Sequence, residues 1–378
     1  MKIQLNKYLK KNTLVGIGPM SINSINASID LAKICKSPLM LIPSRRQIDR
    51  NEGYVANLNS KKFSSFVKNK KNIILCRDHG GPWQNNFEVE NKLNIYNAMQ
   101  SAKRSFETDI DSNFKILHVD PSIDINNTLN IDTILDRVCE LVEHCWSYSK
   151  RKKKKILFEI GTEEQNGLLE SYESYKYALS KLNRFFKINK IPNPIFFVVQ
   201  FGTKVMEDKN IGSFNKIKNF KELKKKNREL LKIIKYLRKH NIFTKIHNVD
   251  YLSNKHLSFL KMCRVGAINI APEFGVTETR SFINILKSNN LNELVKEFLN
   301  LSYSSKKWEK WVINKTKITK YKCSELSGHY IFSKKEFKKI KNEAQNYLVK
   351  KNIDIDKIMY TSVRSSISRY LEKFDLLR

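Results

Sequence analysis

Eight short apolar runs recur along the first 270 residues, and a stretch with helical character separates each run from the next. The runs begin near Leu14, Leu39, Ile73, Ile116, Ile156, Ile195, Phe243 and Ala267. Apolar runs of this length that alternate with helical stretches are typical of βα units with parallel strands. Eight such units predict a closed (β/α)8 TIM barrel, whose active site lies at the C-terminal ends of the strands.

The pattern changes after about residue 290. Helical segments are predicted around 291–301, 335–350 and 355–377, and they replace the alternation of strand and helix. We therefore expect a barrel domain over 1–290 and a helical C-terminal extension over 291–378. The extension could cover the open end of the barrel, form a subunit contact or pack outside the barrel.

The residues that follow the apolar runs are rich in acids, imidazoles, guanidinium groups and amides. Asp78 and His79 come after the third run and before a Gly80-Gly81-Pro82 loop. A histidine at a strand end can bind a metal, and a neighbouring carboxylate can move a proton. Glycine lets the backbone approach a ligand closely, which favours a functional loop at this place. We expect Asp78 to be a catalytic acid or base and His79 to be a metal ligand.

A second carboxylate and a second imidazole follow later strands. Glu163 and Glu164 lie just beyond the fifth run, and His247 lies at the end of the seventh. Together with His79, Glu163 and His247 make a two-histidine, one-carboxylate set, which is common for Zn²⁺ or a similar divalent ion. We expect Glu163 as a metal ligand or general base and Glu164 as a catalytic residue. The alternatives are a carboxylate that stabilises a helix N-terminus and a structural histidine.

Other strand ends supply further candidates. Arg45 and Arg46 follow the second run, and guanidinium groups form charge-assisted pairs with phosphate or carboxylate groups. Two solvated surface arginines are the alternative. Asp120 and Asp250 are the remaining catalytic candidates. The predicted substrate-binding residues are Arg45, Arg46, Gln47, His118, Gln200 and Asn269.

Composition narrows the class of protein. The chain has 378 residues, 41% of them hydrophobic, so it can bury a sizeable core. Its net charge is +33, with 70 Lys and Arg against 37 Asp and Glu. Clustered cations bind nucleic-acid backbones, yet lysine is spread over the whole chain, and no zinc finger, aromatic-basic motif or basic zipper accompanies it. We therefore expect a solvated basic surface, with nucleic-acid binding as the weakest alternative.

Several signals are missing from the sequence. No apolar run reaches the ~18 residues that a membrane helix needs, and residues 1–12 lack the apolar core of a signal peptide. The six cysteines show no paired spacing, so reduced thiols are expected. These observations predict a soluble, cytoplasmic protein without a membrane partner. The Gly16-x-Gly18 pair lacks the rest of a dinucleotide fingerprint, and a P-loop Gly-Lys-Ser/Thr motif is absent, which disfavours dehydrogenases and P-loop kinases.

Five strand-end motifs occur in order along the chain. They are Asp-His-Gly-Gly-Pro-Trp-Gln at 78–84, Leu-His-Val-Asp-Pro-Ser at 117–122, Ile-Gly-Thr-Glu at 160–163, Val-Val-Gln-Phe-Gly at 198–202 and His-Asn-Val-Asp-Tyr at 247–251. In this order they resemble the tagatose-bisphosphate aldolase accessory-subunit family (the GatZ/KbaZ type), which is related in fold to class II aldolases. The resemblance runs from about residue 14 to about residue 287. Where the family has a carboxylate near Gln47, this chain has two arginines, so it looks like a divergent branch with a different acidic sugar or sugar phosphate.

The resemblance implies a role in carbohydrate metabolism. Class II aldolases use a divalent metal, usually Zn²⁺, to polarise a ketose carbonyl while a carboxylic acid moves the proton. On that model His79, Glu163 and His247 would hold the metal and Asp78 would be the acid/base. Catalytic members have a histidine where Gln200 falls. The accessory subunits are regarded as non-catalytic proteins that support the activity and stability of a separate aldolase. Some accessory subunits have carried a tagatose-6-phosphate kinase label. The resemblance therefore implies either a metal-dependent aldolase-type enzyme or an accessory partner of one, with a homo-oligomer as another possible assembly.

Overall fold

The computed structural model describes residues 2–162 and 171–377. Its strands are β1 (Leu14–Ile17), β2 (Leu39–Leu41), β3 (Ile73–Gly80), β4 (Ile116–Val119), β5 (Leu157–Ile160), β6 (Phe196–Val198), β7 (Val205–Met206), β8 (Lys209–Asn210), β9 (Phe243–Ile246) and β10 (Ala267–Ile270). Eight of these strands are parallel and close into a barrel in which β6 pairs with β9 and β10 pairs back to β1. The predicted (β/α)8 barrel is confirmed, and each barrel strand begins within one residue of its predicted start. Strands β7 and β8 form a separate antiparallel hairpin.

Helices follow the barrel strands and cover the barrel from outside. They are α1 (Lys2–Leu9), α2 (Ile22–Ile34), α3 (Ser60–Val67), α4 (Asn86–Glu90), α5 (Ile95–Asp111), α6 (Ile131–Arg151), α7 (Tyr172–Ile188), α8 (Phe220–Lys226), α9 (Arg228–Lys239), α10 (Asn254–Met262), α11 (Pro272–Ser288), α12 (Asn292–Ser304), α13 (Lys320–Ser327), α14 (Lys335–Leu348) and α15 (Ile355–Lys373). Short 3-10 turns occur at Ser213–Lys216, Gly328–Ile331 and Val349–Lys351. The helical stretch before β9 is divided at Asn227 into α8 and α9. Within the described ranges, no helix combines the length and apolar character needed to cross a membrane.

The side chains that point into the barrel change from apolar to polar along the strands. Alternate residues of a strand face the same side, so the inner position passes from Ile116 to His118 on β4 and from Leu157 to Glu159 on β5. The inward positions of β3, β9 and β10 change from apolar to polar in the same way. Their polar residues are Asp78, Lys245, His247 and Asn269. The polar residues therefore form one layer at the C-terminal end of the barrel.

The N-terminal helix α1 closes the opposite end of the barrel. Leu5 and Leu9 are buried against the inward apolar residues of the strands. The hydroxyl of Thr13 donates to the carbonyl of Val265 (2.8 Å), which fixes the entry from this helix into β1. Because apolar side chains fill this end, a polar ligand would enter from the C-terminal end, as in other barrels of this type.

The third strand continues further than the sequence predicts. β3 runs to Gly80, so Asp78 and His79 belong to the strand and the prediction that they lie in a loop is wrong. The backbone N–H of Asp78 donates to the carbonyl of Pro43 (3.0 Å), which prolongs the pairing with the β2 side. The register against β4 shifts between Arg77 and Gly80, and His79 has a left-handed φ of 45°. Strict alternation would point Asp78 and His79 to opposite faces, whereas the shifted register lets both line one cavity.

The C-terminal extension packs on the barrel as well as on itself. Phe274, near the start of α11, belongs to the main core, whereas Phe282 further along that helix belongs to a second apolar cluster with residues of α12 and α14. The last helix, α15, returns to the barrel and packs against α2 and α11. Its Val363, Ile367 and Leu371 are fully buried in the main core. The extension thus forms part of the barrel wall, and the domain boundary near residue 290 stays a prediction.

Candidate active site

A cavity of about 180 Å³ opens at the C-terminal end of the barrel. Tyr54, in the segment between β2 and α3, lines one wall, and Lys310, Trp311 and Tyr330 of the C-terminal extension line another. Seven of the predicted site residues also line it: Arg46, Gln47, Asp78, His79, His247, Asp250 and Asn269. The structure therefore brings together residues from distant parts of the sequence, and their roles stay predictions.

Three histidines from different strands meet at the floor of this cavity. The ring centroids of His79 and His118 are 5.3 Å apart, and each lies about as far from the ring of His247, at 5.1 and 5.0 Å. One ring nitrogen of each histidine lies within 4.8 Å of the others. Burial lowers the pKa of His247 although Asp78 opposes this, so the neutral ring is favoured there.

The ring of His79 is oriented by a buried carboxylate. Although burial opposes ionisation, His79 holds the pKa of Asp120 well below its usual range, so this carboxylate accepts hydrogen bonds only. His79 Nδ1–H therefore donates to Asp120 Oδ2 (2.6 Å). Gln84 Nε2 donates to the same oxygen (3.1 Å) and the Ser122 hydroxyl donates to the other (2.5 Å). This arrangement leaves His79 Nε2 facing Asp78, and an acid that fixes a histidine in this way is typical of metal-binding histidines.

His79 carries a positive charge in the metal-free site. Burial disfavours the imidazolium, but Asp78 and Asp120 outweigh that effect and raise the pKa of His79 to about 9. A metal ion bound through Nε2 would have to displace this proton, so binding would release a proton near neutral pH.

Asp78 is a buried carboxylate that the surroundings keep ionised. Its Oδ1 accepts a hydrogen bond from Asn269 Nδ2 (3.1 Å) and lies 3.4 Å from His118 Nδ1 and 3.8 Å from His247 Nε2. Burial opposes ionisation, but the positive charge of His79 holds the pKa of Asp78 well below its usual range. Its other oxygen lies 3.8 Å from His79 Nε2. The carboxylate is therefore anchored on one side, while its other oxygen faces His79.

Below the histidines lies a buried ion pair that the sequence prediction missed. Lys245 Nζ donates to Glu159 Oε2 (2.6 Å), and both side chains are fully buried. Glu159 Oε1 lies 3.1 Å from His247 Nε2 and 3.7 Å from His118 Nδ1. Burial opposes ionisation of Glu159, but Lys245 brings its pKa down to about 2. The sequence contained one signal for this pair, which is a charged residue of opposite sign within each of two apolar strands. Because such charges are buried only when paired, this pattern indicates an ion pair between the strands.

The chemistry and spacing of these donors fit a divalent metal ion. Asp78, His118, Glu159 and His247 form a second group of possible ligands that shares two histidines with the first. The measured separations of 3.1, 3.4, 3.7 and 3.8 Å between their ligand atoms are close to the roughly 3.4 Å expected around tetrahedral zinc with bonds of about 2.0–2.1 Å. The cluster therefore permits a metal site, without identifying the metal.

His118 was predicted to bind substrate, and that role stays a prediction. It lies beneath His79 and does not line the cavity, and its Nδ1 accepts a hydrogen bond from the backbone N–H of His79 (3.0 Å). The other ring nitrogen faces Gly161, where a Cβ would lie only 2.5 Å from it. Glycine is thus required beside this ring. His118 could join a metal only by giving up its bond to His79, because one lone pair cannot serve both.

The two adjacent arginines have different environments. Arg45 is buried and forms ion pairs with Asp49 (3.1 Å) and Glu88 (2.5 Å), while its Nη1 donates to the carbonyl of Gly81 (2.6 Å). It does not line the cavity and instead braces the loops after β2 and β3, so its role in substrate binding stays a prediction. Arg46 lines the cavity, as expected of a substrate-binding cation.

The remaining predicted residues have structural contacts as well. Gln47 lines the cavity, but its amide accepts from the N–H of Ser44 (2.7 Å) and donates to the carbonyl of Pro19 (3.0 Å). Gln200 is buried beyond β6 and does not line this cavity. Asp250 Oδ1 accepts from the backbone N–H groups of Ala271 and Glu273 (2.9 Å each) and so caps α11. Burial and the nearby charge of Glu273 raise the pKa of Asp250 to about 7.

Two predicted acids cannot be assigned a position. Glu163, the expected third metal ligand, and Glu164, an expected catalytic residue, lie outside the described residues. Of the predicted ligand set, the structure therefore brings together His79 and His247, and it adds His118 as a third imidazole.

The paired glycines serve packing in this structure. A Cβ on Gly80 would lie 2.4 Å from the ring of Phe106, and one on Gly81 would lie 2.1 Å from the carbonyl oxygen of Asp120. These glycines let β3 approach β4 and α5 closely, which places His79 beside Asp120. The expectation that glycine admits a ligand here is replaced by this close contact within the protein.

Comparisons with known proteins agree on the fold. No protein-family model matches the chain, and no curated protein sequence matches it. A probable tagatose 6-phosphate kinase from Sinorhizobium meliloti 1021 superposes with a TM-score of 0.78 at 14% identity, over 96% of this chain and 100% of that one. A fructose-bisphosphate aldolase from Campylobacter jejuni gives a TM-score of 0.56 at 12% identity, over 99% and 93% of the two chains. A fructuronate-tagaturonate epimerase from Cohnella laeviribosi gives 0.55 at 11% identity, over 99% and 85%.

At these identities the similarity concerns the fold alone. Fold and site together define the chain as a (β/α)8-barrel protein with a buried His, Asp and Glu cluster at the C-terminal ends of its strands.

Proposed function

We propose that this protein is a metal-dependent, aldolase-type enzyme of carbohydrate metabolism that cleaves or joins a phosphorylated or acidic sugar. The observation that carries the proposal is the ionised Asp78 at the floor of the cavity, surrounded by three imidazoles. A carboxylate and several imidazole nitrogens that can bind a metal are what metal-assisted carbon–carbon cleavage requires. The names of the structural neighbours, which include a sugar-phosphate aldolase and a sugar-acid epimerase, support the substrate class.

In this proposal the chain's own residues move and hold protons. The free oxygen of Asp78 accepts a proton from a substrate hydroxyl while the adjacent carbon–carbon bond breaks, and it returns a proton in the direction of condensation. Asn269 holds the other oxygen in place, so the proton transfer occurs at a fixed position. His79, oriented by Asp120, and His247 would hold the metal, with His118 as the third nitrogen. Such an ion supplies Lewis-acid polarisation of the substrate carbonyl.

Asp78→Asn tests the acid/base assignment. Removing a general base lowers the rate on the order of 10²–10⁴-fold, so we expect the retro-aldol turnover of ketose mono- and bisphosphates to fall by that factor. The turnover is measured by a coupled assay that detects triose phosphate. Bound zinc, measured by elemental analysis, should stay the same because the three histidines hold the metal in this proposal; a loss of zinc would instead identify Asp78 as a ligand. Asp132→Asn, which removes an exposed carboxylate on α6, is the matched control and should leave both quantities unchanged.

Two further variants separate metal binding from proton transfer. We expect His79→Gln to lose both zinc and turnover, whereas Asp120→Asn should weaken zinc binding about 10–100-fold by releasing the His79 ring. Unchanged turnover in Asp78→Asn, or a wild-type protein that binds no divalent ion and ignores chelator, contradicts the proposal.

The second candidate is a non-catalytic accessory subunit. It is favoured by apolar side chains exposed around α4 and the start of α5, where Phe87 is 63% and Tyr96 is 68% exposed. Exposed apolar groups of this kind mark protein contacts when they lie together. Under this proposal the partner is a catalytic aldolase subunit. Co-purification of the chain with such a subunit from the source would support this candidate if Phe87→Ser abolishes it and Asp78→Asn retains it. Isolation of the chain alone would contradict this candidate.

A further inference from the structure

Within the described part of the chain, the rim of the cavity carries two cations without acidic partners. Arg46, on the loop after β2, and Lys310, in the C-terminal extension, both line the cavity. Among the described residues, neither has a carboxylate oxygen within 4.0 Å, whereas the adjacent Arg45 is paired with two acids. A half-buried guanidinium without a counterion has lost hydration without gaining an ion pair, so an anion placed there would be stabilised.

An aromatic frame holds these cations at the rim. Lys310 Nζ lies 4.9 Å from the ring centroid of Trp311 and 5.2 Å from that of Tyr330. Trp311 Nε1 donates to the hydroxyl of Tyr330 (3.0 Å), and the ring of Tyr330 packs against Tyr54 (4.6 Å), in the segment between β2 and α3. These contacts connect the wall that carries Lys310 with the wall that carries Arg46.

The segment that carries Lys310 is fixed to the barrel. The backbone N–H of Glu207, at the β7–β8 hairpin, donates to the carbonyl of Trp311 (2.6 Å). Arg280 on α11 pairs with Glu325 of the extension (2.7 Å) and with Asp208 of the hairpin, and Lys322 also binds Asp208 (2.7 Å). The position of Lys310 over the cavity is therefore part of the fold.

We infer that Arg46 and Lys310 form a subsite that binds the anionic end of the substrate, a phosphate or a carboxylate, and that the C-terminal extension thereby completes the active site. The same cavity is lined by the carboxylates Asp78 and Asp250 and by these two cations. A substrate with one anionic end would be held with its uncharged carbons toward Asp78. This inference rests on the proposed function for the rest of the substrate, but the subsite itself can be tested without turnover.

The test is binding of inorganic phosphate to the chelator-treated, full-length protein, measured by titration calorimetry at low salt. Loss of a charge-assisted guanidinium contact is expected to weaken binding about ten-fold or more in Arg46→Gln, and loss of the exposed ammonium about three-fold in Lys310→Gln. Lys310→Glu, a change at the exposed rim, should abolish binding while the protein stays folded. Lys317→Gln, which changes an exposed lysine of the extension that does not line the cavity, is the control and should bind as wild type.

Comparison of glycerol 3-phosphate with glycerate distinguishes the two anions. Tighter binding of the phosphate identifies a phosphate subsite, and tighter binding of glycerate identifies a carboxylate subsite. If wild type binds neither anion, or if Arg46→Gln and Lys310→Glu bind as tightly as Lys317→Gln, the inference is overturned. If anion binding depends on both residues but Asp78→Asn leaves sugar-phosphate turnover unchanged, the subsite stands and the proposed aldol chemistry falls.

Discussion

The buried pair of Lys245 and Glu159 gives the sharpest test of how the floor of the site is stabilised. We expect Lys245→Met to destabilise the protein strongly, because it leaves the fully buried Glu159 carboxylate without its cation. Methionine fills a similar volume, so the loss comes from the unpaired charge and not from a cavity. The double variant Lys245→Met/Glu159→Leu removes both charges and should recover most of the loss.

The expected magnitude follows from the burial of both groups. Removing one member of a fully buried pair costs about 3–5 kcal/mol, whereas replacing both members by apolar residues is often neutral or stabilising. Both side chains are fully buried and their charged atoms are 2.6 Å apart, so the full cost should apply. The matched control is Lys232→Met, because Lys232 pairs with Glu229 at the same distance of 2.6 Å on the exposed surface of α9. An exposed pair of this kind contributes about 1 kcal/mol or less.

Urea unfolding of the metal-free proteins measures these differences. Chelator must be present, because an ion bound near Glu159 would compensate the missing charge and hide the effect. If Lys245→Met loses no more stability than Lys232→Met, or if the double variant is less stable than Lys245→Met, then the pair is not a mutually compensating buried ion pair and the account of the floor is wrong.

Two further predictions concern stability away from the buried His, Asp and Glu cluster. Burial raises the pKa of Glu278 from its usual 4.5 to about 7, so the stability contributed by its neutral carboxyl is complete below about pH 4.5 and is lost as the pH rises through 7. Glu278→Gln should therefore be more stable than wild type by up to about 3 kcal/mol at pH 8.5 and by little at pH 4.5. Equal gains in urea unfolding at both pH values would contradict this. Ile367→Ala in α15 should lower the free energy of unfolding by about 2–5 kcal/mol, because this side chain is fully buried in the barrel core. Ile358, on the same helix, is 40% exposed, so Ile358→Ala should change stability little. Equal midpoints of the two variants in thermal unfolding would show that α15 does not stabilise the barrel.

The barrel could be predicted because its signal is local and repeated. Each apolar run with its helical neighbour specifies one βα unit, and eight units leave few ways to bury every strand except closure. The end of β3 was not predictable in this way. Asp78 and His79 look like the start of a loop in the sequence, but the pairing of Asp78 with Pro43 and the shifted register toward β4 are contacts between distant segments.

The site could be predicted in part for the same reason. His79 and His247 follow apolar runs directly, so the topology of the barrel brings them to one end. Glu159 and Lys245 were missed because they lie inside the runs, where one inward position of a strand gives no hint of its partner on another strand. Arg45 and Arg46 are adjacent in sequence, and only the positions of Asp49 and Glu88 decide which of them is used internally.

The position of His118 bears on whether the protein is a working enzyme. The sequence resemblance implies that Gln200 stands where catalytic class II aldolases carry a ligand histidine, and this implication by itself favours a non-catalytic role. In this chain, however, a third imidazole from β4 lies within ligand distance of His79 and His247. It is held back by one hydrogen bond, from the backbone N–H of His79 to its Nδ1. A metal that compensated the loss of that single bond would have three nitrogen ligands, so Gln200 by itself does not contradict the proposed metal-assisted chemistry.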